Sequence, residues 1–308
     1  MSTIEGLRSC AWAEATQQKK AISVDKTARR SKVYDDMKKL RRPILKPFRI
    51  FVSCVLVTFA NLVNAHEFWL SPSTYLLPSG ESLEVAFSFG DDFDRTDIAY
   101  IPQQSKRFEV HLGDANLSLA IDKPRDPAAK INGIPDGLAV LIYERNADLE
   151  VFIYNTPEKF ESFLDTHGIK DDIDWESATH PVAEKYNRFA KALVRVGAGF
   201  GQDKYLGMET EIVAVTNPYL PKGRETMSFE LYAGGTLQPD RQIELYSKRL
   251  SDGAVTRSLH RTNADGRVKI DVAAGHEYLL NSITYRPSKG AEQFESLWAS
   301  LSFVIPSE

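Results

Sequence analysis

Short segments in which hydrophobic and polar residues alternate cover most of the chain after residue 66. Four of them, 82–89, 108–112, 117–121 and 138–143, are separated by clusters of proline, glycine and aspartate. Alternation with a period of two puts every second side chain on one face, which is typical of strands with one buried face. The pattern predicts a β-rich first domain over residues 66–208.

Two segments of that domain show helical spacing instead. Thr-Pro-Glu at 156–158 supplies an N-cap, a proline at the first helical position and an acidic first turn, and this predicted helix ends at Gly168. A second predicted helix starts near Pro181. Its last residues, 192–196, also alternate between apolar and polar, so a strand is an alternative prediction for them.

From residue 209 onward the helical spacing disappears, and strands recur about every ten residues. Asp-Gly dipeptides at 252–253 and 265–266 are typical of tight hairpin turns. Seven short strands in this stretch predict an immunoglobulin-like or transthyretin-like sandwich over residues 209–308. The predicted fold class is therefore mainly β, with an N-terminal β-rich domain containing two helices and a C-terminal seven-stranded sandwich. The seven strands are predicted at 211–215, 226–232, 242–246, 255–260, 267–272, 278–285 and 297–305.

Residues 37–65 have the three parts of a secretory signal peptide. A basic segment precedes 14 apolar-rich residues at 50–63 and a Val-Asn-Ala cleavage site that ends at Ala65. A membrane-spanning helix needs about 20 apolar residues, so a removable signal is favoured over an anchor. We expect export to the periplasm, a mature chain beginning at His66 and no stable membrane insertion after cleavage. Residues 1–36 are interpreted in one of two ways. Either the start codon is assigned too early and these residues are not part of the protein, or they form a disordered extension.

Removal of the leader changes the charge of the chain. Of 38 Lys and Arg residues, 13 lie in residues 1–65, and of 42 Asp and Glu residues 5 do, which leaves 25 basic and 37 acidic residues and a net charge of −12. Such a chain disfavours nucleic acid as a partner and attracts cations. Both cysteines, Cys10 and Cys54, precede residue 66, so the mature chain has no disulfide and no thiolate metal ligand.

An amino-terminal histidine offers two nitrogens to one metal ion. If cleavage follows Ala65, the α-amino nitrogen and the ring Nδ1 of His66 form a chelating pair, and free groups of both kinds are partly neutral near pH 7. The alternative is that His66 is simply the residue that cleavage leaves first. The other five histidines share no metal-ligand spacing and are interpreted as surface or capping residues.

Six segments spread over residues 66–308 resemble one family of exported proteins. They are HEFWLSPSTY, TPEKFESFLDTHGI, KYNRFAKALVRVG, GMETEIVAVTNPY, TNADGR and ESLWASLSF, in the family's order. The family is that of exported proteins associated with cobalt and nickel uptake, long carried as a domain of unknown function. The resemblance implies a periplasmic component of such an uptake system, with a membrane metal importer as its partner.

The chain departs from the family pattern at two places, and both concern histidines. Many members carry a Gly-His-Gly-Phe-like turn where this chain has Gly-Asp-Asp-Phe at 90–93, and histidines in the strand at 278–285, where this chain has none. Nickel, cobalt and copper favour imidazole, whereas carboxylates suit harder ions. A site of His66, Asp91 and Asp92 would therefore be weaker and less selective. The alternative for the two aspartates is an acidic surface loop.

Three functions are consistent with these observations. The first is a non-enzymatic periplasmic accessory protein that binds nickel or cobalt, with copper as the alternative ion. The second is a noncatalytic envelope β module that binds a protein or a glycan. The third is a copper enzyme of the histidine-brace type, which needs a second histidine such as His111 or His276 beside His66. The sequence has no GxSxG, P-loop or HExxH motif.

Overall fold

The part of the chain that the computed structural model describes, residues 66–146 and 151–307, consists mainly of β-strands. The mainly β class is therefore confirmed. The predictions for residues 1–36 and 37–65 lie outside the described residues. No helix in the described part is long and apolar enough to cross a membrane.

The described residues contain eighteen strands and one α-helix. The seven strands predicted after residue 209 all occur near their predicted positions, and a two-residue strand at Thr236–Leu237 was not predicted. The elements are β1 Glu67–Pro72, β2 Leu76–Leu77, β3 Leu83–Asp91, β4 Asp94–Ile98, β5 Ser105–Leu112, β6 Ala115–Ser118, β7 Ala129–Ile131, β8 Gly137–Arg145, β9 Val151–Tyr154, α1 Pro157–Thr166, β10 Val182–Val196, β11 Thr210–Ala214, β12 Thr226–Ala233, β13 Thr236–Leu237, β14 Gln242–Arg249, β15 Val255–Arg261, β16 Arg267–Asp271, β17 His276–Pro287 and β18 Phe294–Ile305.

These strands form three sheets. The first sheet has the order β1-β3-β4, with β7 also paired to β3. The second has ten strands in the order β15-β14-β17-β18-β10-β8-β5-β6, with β2 and β9 also paired to β10. The third has the order β11-β12-β13, with β16 also paired to β12. Strands from both sides of the predicted domain boundary at residue 208 share the ten-stranded sheet, where β10 and β18 run parallel.

The ten-stranded sheet is the middle of three layers, as the side chains of β8 show. Ala139 and Leu141 belong to the apolar cluster shared with the first sheet, whereas Val140 and Ile142 belong to the cluster shared with the third sheet. A strand covered on both faces is apolar at nearly every position, which explains the run LAVLIY in β8. The middle sheet therefore supplies a face to each of the two main cores.

The first predicted helix is present as α1 with the predicted N-terminus. The hydroxyl of Thr156 accepts a hydrogen bond from the backbone N–H of Lys159 at 3.4 Å, and a proline follows the cap. Phe160, Phe163 and Leu164 are buried in a third apolar cluster with residues of β9, β10, β17 and β18. The helix therefore covers one end of the ten-stranded sheet.

The second predicted helix is wrong, because residues 182–196 form strand β10. Phe189 and Leu193 pack in the cluster with the third sheet, and Ala190 and Ala192 pack in the cluster with the first sheet. When both faces of a strand are buried, apolar residues also occur at intervals of three and four. Hydrophobic spacing then does not distinguish the strand from a helix.

A fully buried lysine connects β10 to the long segment before β11. Lys191 Nζ lies 2.8 Å from Asp203 Oδ1 and 2.7 Å from Glu211 Oε1. Asp203 also accepts a hydrogen bond from the backbone N–H of Ala214, and Glu211 accepts one from that of Leu206. Burial lowers the pKa of Lys191, but the two carboxylates outweigh burial and hold this pKa above its usual value. The ammonium therefore stays charged and fixes the segment.

Candidate functional site

The register of the first sheet places residue 66 beside the β3–β4 hairpin. Glu67 pairs with Gly90, so the chain before Glu67 lies next to Asp91 at the end of β3. The two turn residues, Asp92 and Phe93, have φ angles of 51° and 61°. Positive φ at both positions is the signature of a type I′ turn, whose twist matches that of the flanking strands.

Gly90 before the turn and Phe93 within it both stabilise this turn. A Cβ atom at Gly90 would lie 2.0 Å from the backbone oxygen of Asp94, so only glycine fits there. Phe93, although bulky and in the left-handed region, is buried against Trp69, with ring centroids 6.0 Å apart, and belongs to a small cluster with Leu279. Packing of the Phe93 ring therefore offsets its unfavourable backbone conformation.

His66 and Asp91 face each other at the surface. His66 Nδ1 lies 3.4 Å from Asp91 Oδ2, and the two side chains are 46% and 33% exposed. The imidazole also packs on the Phe89 ring, with centroids 5.0 Å apart. The backbone oxygen of His66 accepts a hydrogen bond of 3.0 Å from Arg188, whose guanidinium lies 4.3 Å from the centre of the Trp298 ring. The backbone and the ring of His66 are thus both held.

This pair fits two ligands of one metal ion, whereas Asp92 does not join it. Two donors about 2.1 Å from one ion at a tetrahedral angle are about 3.4 Å apart, close to the separation of His66 Nδ1 and Asp91 Oδ2. Asp92 is exposed at the tip of the turn. Among residues 66–146 and 151–307, no three His, Cys, Asp or Glu residues are grouped so as to hold a metal ion. The structure thus brings His66 and Asp91 together, and metal binding by His66, Asp91 and Asp92 stays a prediction.

A buried polar chain begins at the residue next to His66. The Tyr246 hydroxyl lies 2.8 Å from Glu67 Oε1 and 3.0 Å from Glu244 Oε2. Glu244 Oε1 lies 3.0 Å from His167 Nδ1, and Glu244 Oε2 lies 2.9 Å from a guanidinium nitrogen of Arg257. One hydroxyl has a single proton to donate, so it cannot donate to both carboxylates.

The two carboxyl groups of this chain differ in their pKa values. Burial raises the pKa of Glu67 to about 7 and outweighs the hydrogen bond from Tyr246, which lowers it. Burial also raises the pKa of Glu244, but His167 and Arg257 outweigh this effect and leave the pKa below its usual value. In neutral solution Glu244 is therefore ionised, whereas Glu67 is partly protonated and, in its protonated form, supplies the second proton of this polar chain.

The pattern of the sequence did not predict this buried polar network. His167 was predicted to be a surface or capping residue; it is the C-cap of α1, but it is buried and paired with Glu244. Glu67 and Tyr246 are 179 positions apart, and nothing local in the sequence signals their contact. One available signal was Glu67 itself, since a glutamate between a histidine and the apolar run FWL is unusual in a buried strand.

The fold and the histidine–carboxylate pair define a mainly β protein with a candidate metal site at its surface. Residues 63–285 match the model of the family described as Domain of unknown function (DUF4198), and the chain belongs to this family. That description states no activity. No curated protein matches the chain.

Some solved structures show weak similarity to the chain. They include a two-domain fibronectin type-III segment of chicken tenascin, with 12% identity over 77% of this chain and 98% of that one and a TM-score of 0.19. Fibronectin(III)-like modules of Clostridium thermocellum CbhA have 14% identity over 77% and 95% of the two chains, with a TM-score of 0.17. Trypsin-activated alpha-2-macroglobulin from Escherichia coli has 9% identity over 78% and 16%, with a TM-score of 0.19. TM-scores this low do not establish a shared fold, and the mainly β class is based on the strands described above.

Proposed function

We propose that this protein is an exported, non-enzymatic accessory protein that binds one divalent transition-metal ion at its mature amino terminus and passes it to a membrane importer. Nickel and cobalt are the ions that the family resemblance implies. The observation that supports the proposal is the distance of 3.4 Å between His66 Nδ1 and Asp91 Oδ2. Export to the periplasm and cleavage before His66 are part of the proposal.

Cleavage before His66 would supply a third donor. In a chain that starts there, the α-nitrogen is an amine with a lone pair, whereas in any longer chain it is an amide nitrogen without one. The α-nitrogen and Nδ1 belong to one residue and form a chelate, to which the Asp91 carboxylate adds an oxygen. Because Arg188 holds the backbone oxygen of His66, the donors are partly ordered before the ion binds.

The proposed site suits transfer better than storage. Three donors leave coordination positions of the ion open to other ligands, and one donor is a carboxylate, which nickel and cobalt favour less than imidazole. Both side chains are also partly exposed. An ion held in this way exchanges readily, as an ion passed on to an importer must. The net charge of −12 on residues 66–308 favours the approach of cations.

The first test establishes the amino terminus. The intact mass of protein recovered from the periplasm should correspond to a chain that starts at His66. A mass that includes residues 37–65 would mean that the α-nitrogen of His66 is an amide and not a donor, and this result would contradict the proposal.

The second test measures Ni²⁺ binding by calorimetry at pH 7.5 for a chain that starts at His66 and for one with a single extra amino-terminal methionine. Loss of outer-shell partners alone weakens metal sites about 10- to 100-fold, so loss of a direct donor should cost at least tenfold. Metal ligands must be deprotonated, so the difference should shrink below about pH 6. Equal affinity of the two chains would refute the chelate and favour an envelope module that binds a protein or glycan.

A matched pair of variants tests the carboxylate. Asp91→Asn removes the charge that faces His66, whereas Asp92→Asn removes the charge of the neighbouring aspartate at the tip of the turn. Both variants change the net charge equally. We expect weaker Ni²⁺ binding for Asp91→Asn and unchanged binding for Asp92→Asn. The same loss in both variants would show that Asp91 acts only through the overall charge.

A further inference from the structure

An open groove lies on the face of the third sheet that points away from the core. Met227 and Phe229 of β12 belong to the core shared with the middle sheet, so Thr226 and Ser228 lie on the opposite face. Lys269 of β16 is opposite Ser228 in the register and shares that face. These three residues line the groove, whose volume is about 610 Å³. Binding sites for small molecules usually have volumes of about 300–1,000 Å³.

The other wall of the groove is held in place by a buried asparagine. Asn217 Nδ2 donates hydrogen bonds of 2.9 and 3.0 Å to the backbone oxygens of Gly199 and Gly201, and its Oδ1 accepts one of 2.8 Å from the backbone N–H of Tyr219. The segments before and after β11, both of which line the groove, are thus tied together by one side chain. A wall that is ordered in advance lowers the entropic cost of binding a ligand.

The charge of the groove is opposite to that of the chain. Among the described residues that line it, Lys222 and Lys269 carry charges and none carries a carboxylate. Within the part of the chain that the structure describes, neither lysine has an ion-pair partner. Residues 66–308 as a whole have a net charge of −12. Two cations without a carboxylate partner in one groove favour an anionic ligand.

The register of β12 with β16 explains why Lys269 has no partner. Arg267, two residues before it, is opposite Glu230 and forms an ion pair of 2.7 Å with it. Lys269 is opposite Ser228, which has no charge to offer. Asp271, two residues after Lys269, accepts a hydrogen bond of 2.8 Å from a threonine and forms no ion pair with the lysine. The ammonium of Lys269 is therefore available to a ligand.

Most of the other side chains that line the groove are polar but uncharged. They include the hydroxyls of Thr216, Thr226 and Ser228 and the amide of Gln202. The Thr216 hydroxyl accepts a hydrogen bond from the backbone N–H of Ser228 at 3.1 Å and keeps its own proton to donate. The Ser228 hydroxyl forms no hydrogen bond to another described residue. Such walls suit a ligand rich in hydroxyl groups better than an apolar one.

We propose that this groove binds a sugar phosphate, whose phosphate lies near Lys222 and Lys269 and whose hydroxyls contact Thr216 and Ser228. The ammonium of lysine is a compact charge that suits phosphate, whereas flat carboxylates are matched better by the fork of an arginine. The inference does not depend on the proposed metal site. It is tested in buffer containing a metal chelator, so that its failure is distinct from failure of the metal proposal.

The test compares three probes by NMR of the backbone amides of the chain that starts at His66. Glucose 6-phosphate should shift amides at 215–228 and at Lys269 in a saturable manner at millimolar concentration, and the effect should weaken at high salt. Inorganic phosphate should bind roughly fivefold or more weakly because it lacks the sugar hydroxyls, and glucose should cause no shifts. Equal binding of phosphate and glucose 6-phosphate, or no shifts at these residues, would overturn the proposal.

Two pairs of variants locate the anion. Lys269→Gln should weaken binding of glucose 6-phosphate roughly fivefold or more, whereas Lys289→Gln, at an exposed lysine outside the groove, should not. Ser228→Asp gives Lys269 a carboxylate across the strand pair, and Ser228→Asn has nearly the same shape without the charge. We expect the Asn variant to bind roughly fivefold or more tightly than the Asp variant. If both Ser228 variants bind equally, the phosphate does not lie in this groove.

Discussion

Glu184 is a buried carboxyl group whose titration should make the stability of the protein depend on pH. It lies on β10 with 2% of its surface exposed. Tyr154 donates a hydrogen bond of 2.9 Å to its Oε2, and Ser296 donates a short one to its Oε1. Ser296 in turn accepts a hydrogen bond of 2.8 Å from the indole of Trp298. Burial raises the pKa of Glu184 from 4.5 to about 7 and outweighs these hydrogen bonds.

The magnitude follows from linkage between protonation and folding. A folded-state pKa above the unfolded value means that the folded protein binds more protons between pH 4.5 and about 7. The stabilising contribution of the protonated Glu184 is complete below pH 4.5 and is lost as the pH rises through about 7. At 1.36 kcal/mol per pH unit the whole effect is about 3 kcal/mol, and most of it, about 2–3 kcal/mol, falls between pH 5 and pH 8.

Glu184→Gln tests this because glutamine has the shape and neutrality of the protonated acid. Its amide can accept from one neighbouring hydroxyl and donate to the other. We expect the variant and the wild type to have similar free energies of unfolding in urea at pH 5. At pH 8 the variant should be more stable by about 2–3 kcal/mol. Glu81→Gln, at an exposed position, controls for the change in net charge. A difference between variant and wild type that is the same at both pH values would refute the reasoning.

Two further substitutions test the framework around the candidate site. Lys191→Met leaves two buried carboxylates without their cation and should lower the free energy of unfolding in urea by about 3–5 kcal/mol, whereas Lys170→Met near the surface should change it far less; similar losses in both variants would contradict the buried ion pairs. Gly90→Ala forces a Cβ atom against the backbone oxygen of Asp94 and should cost about 2–3 kcal/mol and weaken Ni²⁺ binding, whereas Gly290→Ala, which meets only flexible side chains, should do neither. Wild-type stability and Ni²⁺ affinity in Gly90→Ala would show that the turn is not required.

Local features of the sequence determined the elements that depend on neighbours along the chain. The N-cap at Thr156 and the proline after it predicted the start of α1, because capping satisfies backbone N–H groups within one turn. The alternation in residues 209–308 predicted seven strands, since a strand with one buried face repeats every two residues. The Asp-Gly dipeptide at 252–253 lies between β14 and β15, as hairpin chemistry predicts.

Only the tertiary structure decided which of these elements meet. β10 is a strand because sheets cover both its faces, and this double burial concealed its period of two. His66 meets Asp91 through the register of β1 with β3, a pairing that no local pattern specifies. Glu67 and Tyr246 are 179 positions apart, and His167 and Glu244 are 77 apart. A sequence shows that a carboxyl group exists, but its desolvation and its partners are set by distant residues that folding brings around it.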